Sequence, residues 1–117
     1  MRIVTVCEYG LNRSVTAKWL LQFRDHEVIP AGVKNLSEDT LDMLFDWAEL
    51  VILLDARYHS VLMDLTVPAD KILVWDVGPD RFDHHHNREL IGLLREHAAR
   101  TDPSIWTRAS TATPAVA

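Results

Sequence analysis

Cys7 and Arg13 stand six positions apart in the stretch Cys-Glu-Tyr-Gly-Leu-Asn-Arg-Ser. Ahead of them, Arg-Ile-Val-Thr-Val at 2–6 is a short β-branched run. Behind them, Val15, Trp19 and Phe23, with Leu20 and Leu21, recur at helical spacing from Ser14 onward. The stretch therefore reads as a tight loop between a strand and a helix N-terminus, where unpaired backbone N–H groups and the helix dipole favour an anion. Successive N–H groups curled into a nest can hold the equatorial oxygens of a phosphate. Such a curl needs one residue at ease with positive φ, and Gly10 supplies it. The same field favours an ionised, nucleophilic Cys7 sulfur. Arg13 adds a planar fork of donors for two phosphate oxygens. Ser14 suits two tasks, capping the helix and donating its hydroxyl to the sulfur as a thiophosphate breaks down. Glu8, Tyr9, Gly10, Leu11, Asn12 and Ser14 thus become the expected substrate-binding residues of the loop.

Phosphoryl transfer from an ester also needs an acid to protonate the leaving oxygen, and afterwards a base for the hydrolytic water. If the strands run parallel, the loop after the fourth overhangs the cysteine loop. That loop holds Asp76, Asp80 and Asp83 as candidates. The competing reading for each is a solvated or helix-capping carboxylate, with Asp83 or Asn87 placed to cap the last helix. Tyr9, Phe82 and Tyr58 are candidates to flank an aromatic substrate ring, whereas Phe82 and Tyr58 also suit a core. Trp19, Trp47 and Trp75 read as core. The triplet His84-His85-His86 lacks partners at metal-ligand spacing, so it reads as a hydrated loop and no metal site is expected.

Around these residues strands and helices alternate. After a helix over 14–25 comes a strand over 26–32, whose Pro30 suits a sheet edge. Ser37 opens the next helix, with Glu38 and Asp39 in its first turn and Leu41, Leu44, Phe45 and Ala48 on one face. Leu50 to Leu54 is an unbroken apolar run, as for a strand covered on both sides. A helix over 57–65, stopped by Pro68, a strand over 72–75 and a last helix bearing Leu90, Ile91, Leu93, Leu94 and Ala98 follow. The pattern predicts an α/β fold in a single three-layer domain: a four-stranded parallel sheet in the order 2-1-3-4, with helices on both faces. The cysteine loop then lies where the strand order reverses.

The chain has 117 residues, 48% of them hydrophobic, and a formal charge of −5. That is enough for one core and too little for two. Residues 1–100 are read as the domain and 101–117, rich in Thr, Ala, Ser and Pro, as a flexible tail with Ile105 and Trp106 able to dock. The acidic balance, with no cluster of Lys and Arg, argues against nucleic acid as a partner. No segment has membrane-spanning length. One free cysteine favours a reducing compartment, and cytoplasmic location is expected.

Val-Cys-x5-Arg-Ser near the N-terminus resembles the low-molecular-weight protein tyrosine phosphatases, and the Asn-Arg-Ser ending is similar to the phosphatase of the RNA polymerase II C-terminal domain. Trp47 to Leu53, His59 and Leu73 to Phe82 resemble a compact bacterial branch of tyrosine phosphatases, so that the likeness runs over about residues 1–98. It implies a cysteine-dependent phosphomonoesterase acting through a phosphocysteine intermediate on a phosphorylated protein or small phosphomonoester, with no cofactor. It also implies Cys7 and Arg13 as catalytic residues and Asp80 as the acid ahead of Asp76 and Asp83, although one extra residue near Gly78 shifts the register. The larger family usually carries Asn at the position of Gly10 and a second cysteine at that of Asn12. With one cysteine in all, protection of Cys7 by an internal disulfide is impossible, and its oxidation runs to sulfenic acid and beyond. Two rival functions remain open. A phosphocysteine carrier like the IIB component of sugar phosphotransferase systems shares the strand, loop and helix but lacks the arginine. A phosphate- or phosphopeptide-binding regulatory protein would keep the cradle without turnover.

Overall fold

In a computed structural model, which describes residues 1–22, 25–79 and 81–101, the strands β1 (Arg2–Cys7), β2 (Glu27–Gly32), β3 (Leu50–Leu53) and β4 (Ile72–Val74) form one sheet in the order β2-β1-β3-β4. All neighbouring strands are parallel. Between and after them come α1 (Arg13–Gln22), α2 (Glu38–Trp47), a 3-10 turn Ala56–Tyr58 leading into α3 (His59–Asp64), and α4 (Arg88–Arg100). The predicted order and parallel pairing of the sheet are those found. Parallel pairing puts the carboxyl ends of all strands on one edge, and the cysteine loop leaves β1 there.

The period-two alternation of β1 explains the three layers. Ile3 and Cys7 face one side, where they join Ala17 and Leu21 of α1 and Leu90 and Leu94 of α4 in one buried cluster. Val4 and Val6 face the other, with Leu41 and Phe45 of α2 and Leu62 of α3. Leu50, Val51, Ile52 and Leu53 are all buried, as a strand covered on both faces must be. Pro30 lies in the edge strand β2 opposite Thr5, where its missing N–H costs the sheet nothing on its open side.

Local signals set several boundaries. Ser37 caps α2 by accepting a hydrogen bond from the Thr40 N–H, and Asn87 caps α4 by accepting from Glu89 and Leu90. Ser14 is not a cap, contrary to expectation, because α1 already begins at Arg13. The helix over 57–65 is a 3-10 turn followed by a short α-helix ending at Asp64. The Trp75 ring is buried as expected, with its N–H donating to the Thr101 hydroxyl at 2.9 Å. The 102–117 segment read as a tail, with Ile105 and Trp106, lies outside the described residues.

Candidate active site

Cys7 closes β1 and is 2% exposed. Its sulfur lies 3.1 Å from Ser14 Oγ and accepts from the Gly10 N–H at 3.2 Å. Two donors aimed at one sulfur suit its ionised form, for which the hydroxyl must be the donating partner. Ser14 is fixed from below, since the Thr5 hydroxyl of β1 donates to the Ser14 carbonyl at 2.8 Å. Gly10 has φ +71°, and a Cβ there would stand 2.8 Å from Gly32 N. The turn thus needs glycine for its backbone angle and for its closeness to β2.

The segment following β2 holds the loop from outside. Val33 N–H donates to the Cys7 carbonyl (3.1 Å), Lys34 N–H to the Glu8 carbonyl (2.9 Å) and Asn35 Nδ2 to the Tyr9 carbonyl (2.8 Å). Three successive carbonyls are thus drawn outward, as an anion nest requires. Glu8 Oε1 pairs with Lys34 Nζ at 2.9 Å, and that hydrogen bond holds the Glu8 carboxyl below its ordinary range.

Arg13 is fully buried. Its Nη1 donates to Asp55 Oδ2 at 2.9 Å and to the Gly78 carbonyl at 2.6 Å. Nε and Nη2 have no partner among the described residues although both are buried. A buried donor left unmade costs about 1–3 kcal/mol, so two on one guanidinium edge mark a place for a bidentate oxyanion. Asp55 caps the 3-10 turn after β3 and takes four further hydrogen bonds from the backbone and guanidinium of Arg57. Burial favours the neutral acid of Asp55, but the hydrogen bonds from Arg57 and Arg13 outweigh it and bring its carboxyl down to about 2.

A sulfur with two donors on it, a glycine turn with its carbonyls drawn outward and a half-paired buried arginine follow one another from the end of β1, and the whole chain can be compared with known proteins on that basis. No protein-family model matches the sequence, and neither does any curated protein. Solved structures do match. The arginine phosphatase YwlE of Geobacillus stearothermophilus superposes over 97% of this chain and 93% of its own, with a TM-score of 0.58 and 16% identity. A low-molecular-weight phosphotyrosine phosphatase of Vibrio cholerae O395 does so over 85% and 92%, with 0.61 and 15%. Wzb of Vibrio vulnificus, solved with benzylphosphonate, covers 92% and 97%, with 0.57 and 14%. The chain has the low-molecular-weight phosphatase fold.

Within that fold the residues singled out from the sequence are distributed unevenly. Ser14 and Gly10 meet the Cys7 sulfur, and Arg13 is buried against Asp55 and the Gly78 carbonyl. Tyr9 and Leu11 are exposed at the loop, 46% and 69%. Asn12 reaches outward, its Nδ2 donating to the Phe82 carbonyl at 3.0 Å. Phe82 is buried in the cluster beneath α1 and α4, with the Arg81 guanidinium 4.6 Å from its ring centre. Tyr58 is half-buried under Arg57, 5.4 Å away. Of the three aspartates, Asp76 spends Oδ1 on the Gly78 N–H (2.8 Å), Asp83 is exposed, and Asp80 lies outside the described residues. His84, His85 and His86 are exposed. Among the described residues no three His, Cys, Asp or Glu side chains gather as a metal would need, and no helix is long and apolar enough to cross a membrane.

Asp55 was missed by sequence reasoning. Its signal is there: it is the first polar residue after Leu50–Leu54, hence at the same sheet edge as the cysteine loop. Asn35 carries no such signal, because its partner Tyr9 comes from a distant segment.

Proposed function

We propose that the protein is a cysteine-dependent phosphomonoesterase for phosphotyrosine-like substrates. The observation that carries the reading is the buried Arg13 edge, whose Nε and Nη2 have no partner among the described residues, on the first residue of the helix that follows a loop whose sulfur Ser14 and Gly10 hold. In this reaction the Cys7 sulfur attacks phosphorus and forms the S–P bond as the ester P–O bond breaks. The leaving oxygen takes the proton of Asp80, which stands in sequence between Gly78 and Phe82, the two residues bonded to Arg13 and Asn12. Asp80, now ionised, then removes a proton from water as that water attacks phosphorus. Phosphate departs and the thiolate returns, its charge met by Ser14 Oγ. Arg13 and the loop amides carry the equatorial oxygens throughout. Tyr9 and Leu11 at the mouth favour an aromatic leaving group, and a reducing compartment such as the cytoplasm suits the free thiol.

Incubation with p-nitrophenyl phosphate tests the reading. Nitrophenolate release is expected, abolished in Cys7→Ser, strongly reduced in Asp80→Asn, blocked by orthovanadate and persistent in a chelator. Binding of phosphate without turnover would leave a regulatory module, and a need for a phosphodonor protein would leave a carrier. Faster turnover of phosphoarginine than of phosphotyrosine would overturn the aromatic preference.

A further inference from the structure

The described residues of 75–87, between β4 and α4, form no helix or strand, yet they touch the start of α1 at three points. Arg13 Nη1 donates to the Gly78 carbonyl, Asn12 Nδ2 donates to the Phe82 carbonyl, and the His86 N–H donates to Thr16 Oγ1 at 2.7 Å. We propose that Asn12, with Thr16 behind it, is a positioning residue that holds the acid-bearing loop in register with the cysteine loop. The proposal rests on the phosphatase reading above.

Both ends of the Asn12 contact are anchored. On one side the Asn12 carbonyl accepts from Thr16 N (3.0 Å) and Thr16 Oγ1 (3.1 Å), so its backbone is tied to the start of α1. On the other side the Phe82 ring is buried with Leu90 and Leu94, and its carbonyl cannot swing away without moving the core. The Thr16 hydroxyl works in both directions, donating to Asn12 and accepting from His86. Arg13 secures the loop ahead of Asp80 in sequence, and Asn12 and Thr16 secure it after. A general acid must come within hydrogen-bond reach of the leaving oxygen, and a displacement of about 1 Å costs on the order of a hundredfold in rate. Fastening only one side of the acid would leave that precision to an exposed loop.

Leaving groups separate this role from a merely structural one. Phenyl phosphate, whose phenolate is a poor leaving group, depends on the acid far more than p-nitrophenyl phosphate does. In Asn12→Ala and the isosteric Asn12→Asp, kcat/KM for phenyl phosphate, which reads the step that expels the leaving group, is expected to fall at least tenfold more than kcat/KM for p-nitrophenyl phosphate. Orthovanadate affinity, which reads the cradle, is expected to stay within threefold. Thr16→Val, which keeps the shape of the buried side chain, is expected to show the same bias at smaller amplitude. Equal losses on both substrates, or a parallel loss of vanadate affinity, would overturn the proposal by assigning Asn12 to the cradle. No loss at all would show the loop needs no tether. Vanadate affinity also reports folding, so an unfolded Asn12→Ala leaves the decision to Asn12→Asp and Thr16→Val. A wild-type protein that binds vanadate but turns over neither ester would instead sink the phosphatase reading, and this inference with it.

Discussion

Replacing Asp55 with Asn removes the carboxylate charge paired with the buried Arg13 guanidinium while keeping the side-chain shape. In the native protein the Asp55 carboxyl lies at about 2 instead of its ordinary 3.8, which at about 1.4 kcal/mol per pH unit corresponds to roughly 2–3 kcal/mol in favour of the folded state. A depressed carboxyl contributes its stabilisation above the unfolded value and loses it as pH falls through the folded one. The benefit is therefore complete above about pH 5 and mostly gone by pH 2. Breaking a buried pair by removing one partner costs about 3–5 kcal/mol, so the two arguments bracket a loss of about 2–5 kcal/mol at pH 7. For 117 residues that is a drop in Tm on the order of 8–20 °C. Urea unfolding of both proteins at pH 7, 5, 3 and 2 measures it: the gap between them should close by roughly 2–3 kcal/mol between pH 5 and pH 2. Turnover should fall as well, because Arg13 Nη1 loses the carboxylate that orients the free Nε–Nη2 edge. A gap that keeps its size down to pH 2 would refute the reasoning, since the stabilisation would then owe nothing to the Asp55 charge.

Three further outcomes follow from particular atoms. Gly32→Ala would put a Cβ 2.2 Å from the Tyr9 carbonyl carbon, so it should cost about 3 kcal/mol or more by chemical denaturation and distort the cradle enough to abolish vanadate binding. Gly92→Ala lies in α4 with nothing within 4 Å of the new Cβ, and thermal unfolding should show a gain of about 0.5–1 kcal/mol. Ser14→Ala removes the hydroxyl 3.1 Å from the sulfur, so stopped-flow traces should show a burst of nitrophenolate followed by a slowed steady state as the phosphocysteine accumulates.

Much of the fold was written in short-range chemistry. The Leu50–Leu54 run, the Ser37 cap ahead of two acids, and the helical spacing of Leu41, Phe45, Leu90 and Leu94 each specify an element locally, and the rule that parallel crossovers share one hand then leaves little choice of sheet order. The cysteine loop was legible for the same reason, since Cys7, Gly10, Arg13 and Ser14 are close in sequence. What escaped is what connects distant segments. Asp55 looks like an ordinary turn residue until β3 is set beside β1, and the bonds from Asn12 to Phe82 and from Thr16 to His86 span seventy residues each. The start of α1 was misplaced because the helix grows directly out of the cradle, with Arg13 already in its first turn.

Having one sulfhydryl among 117 residues has a practical consequence. An alkylating reagent has a single cysteine to modify, so the intact mass of the treated protein reports the fraction of molecules whose Cys7 is open. Protection by vanadate or phosphate can then be followed without any background from other thiols. The rate of that labelling against pH would trace the ionisation of the sulfur in the folded molecule, one proton at one atom.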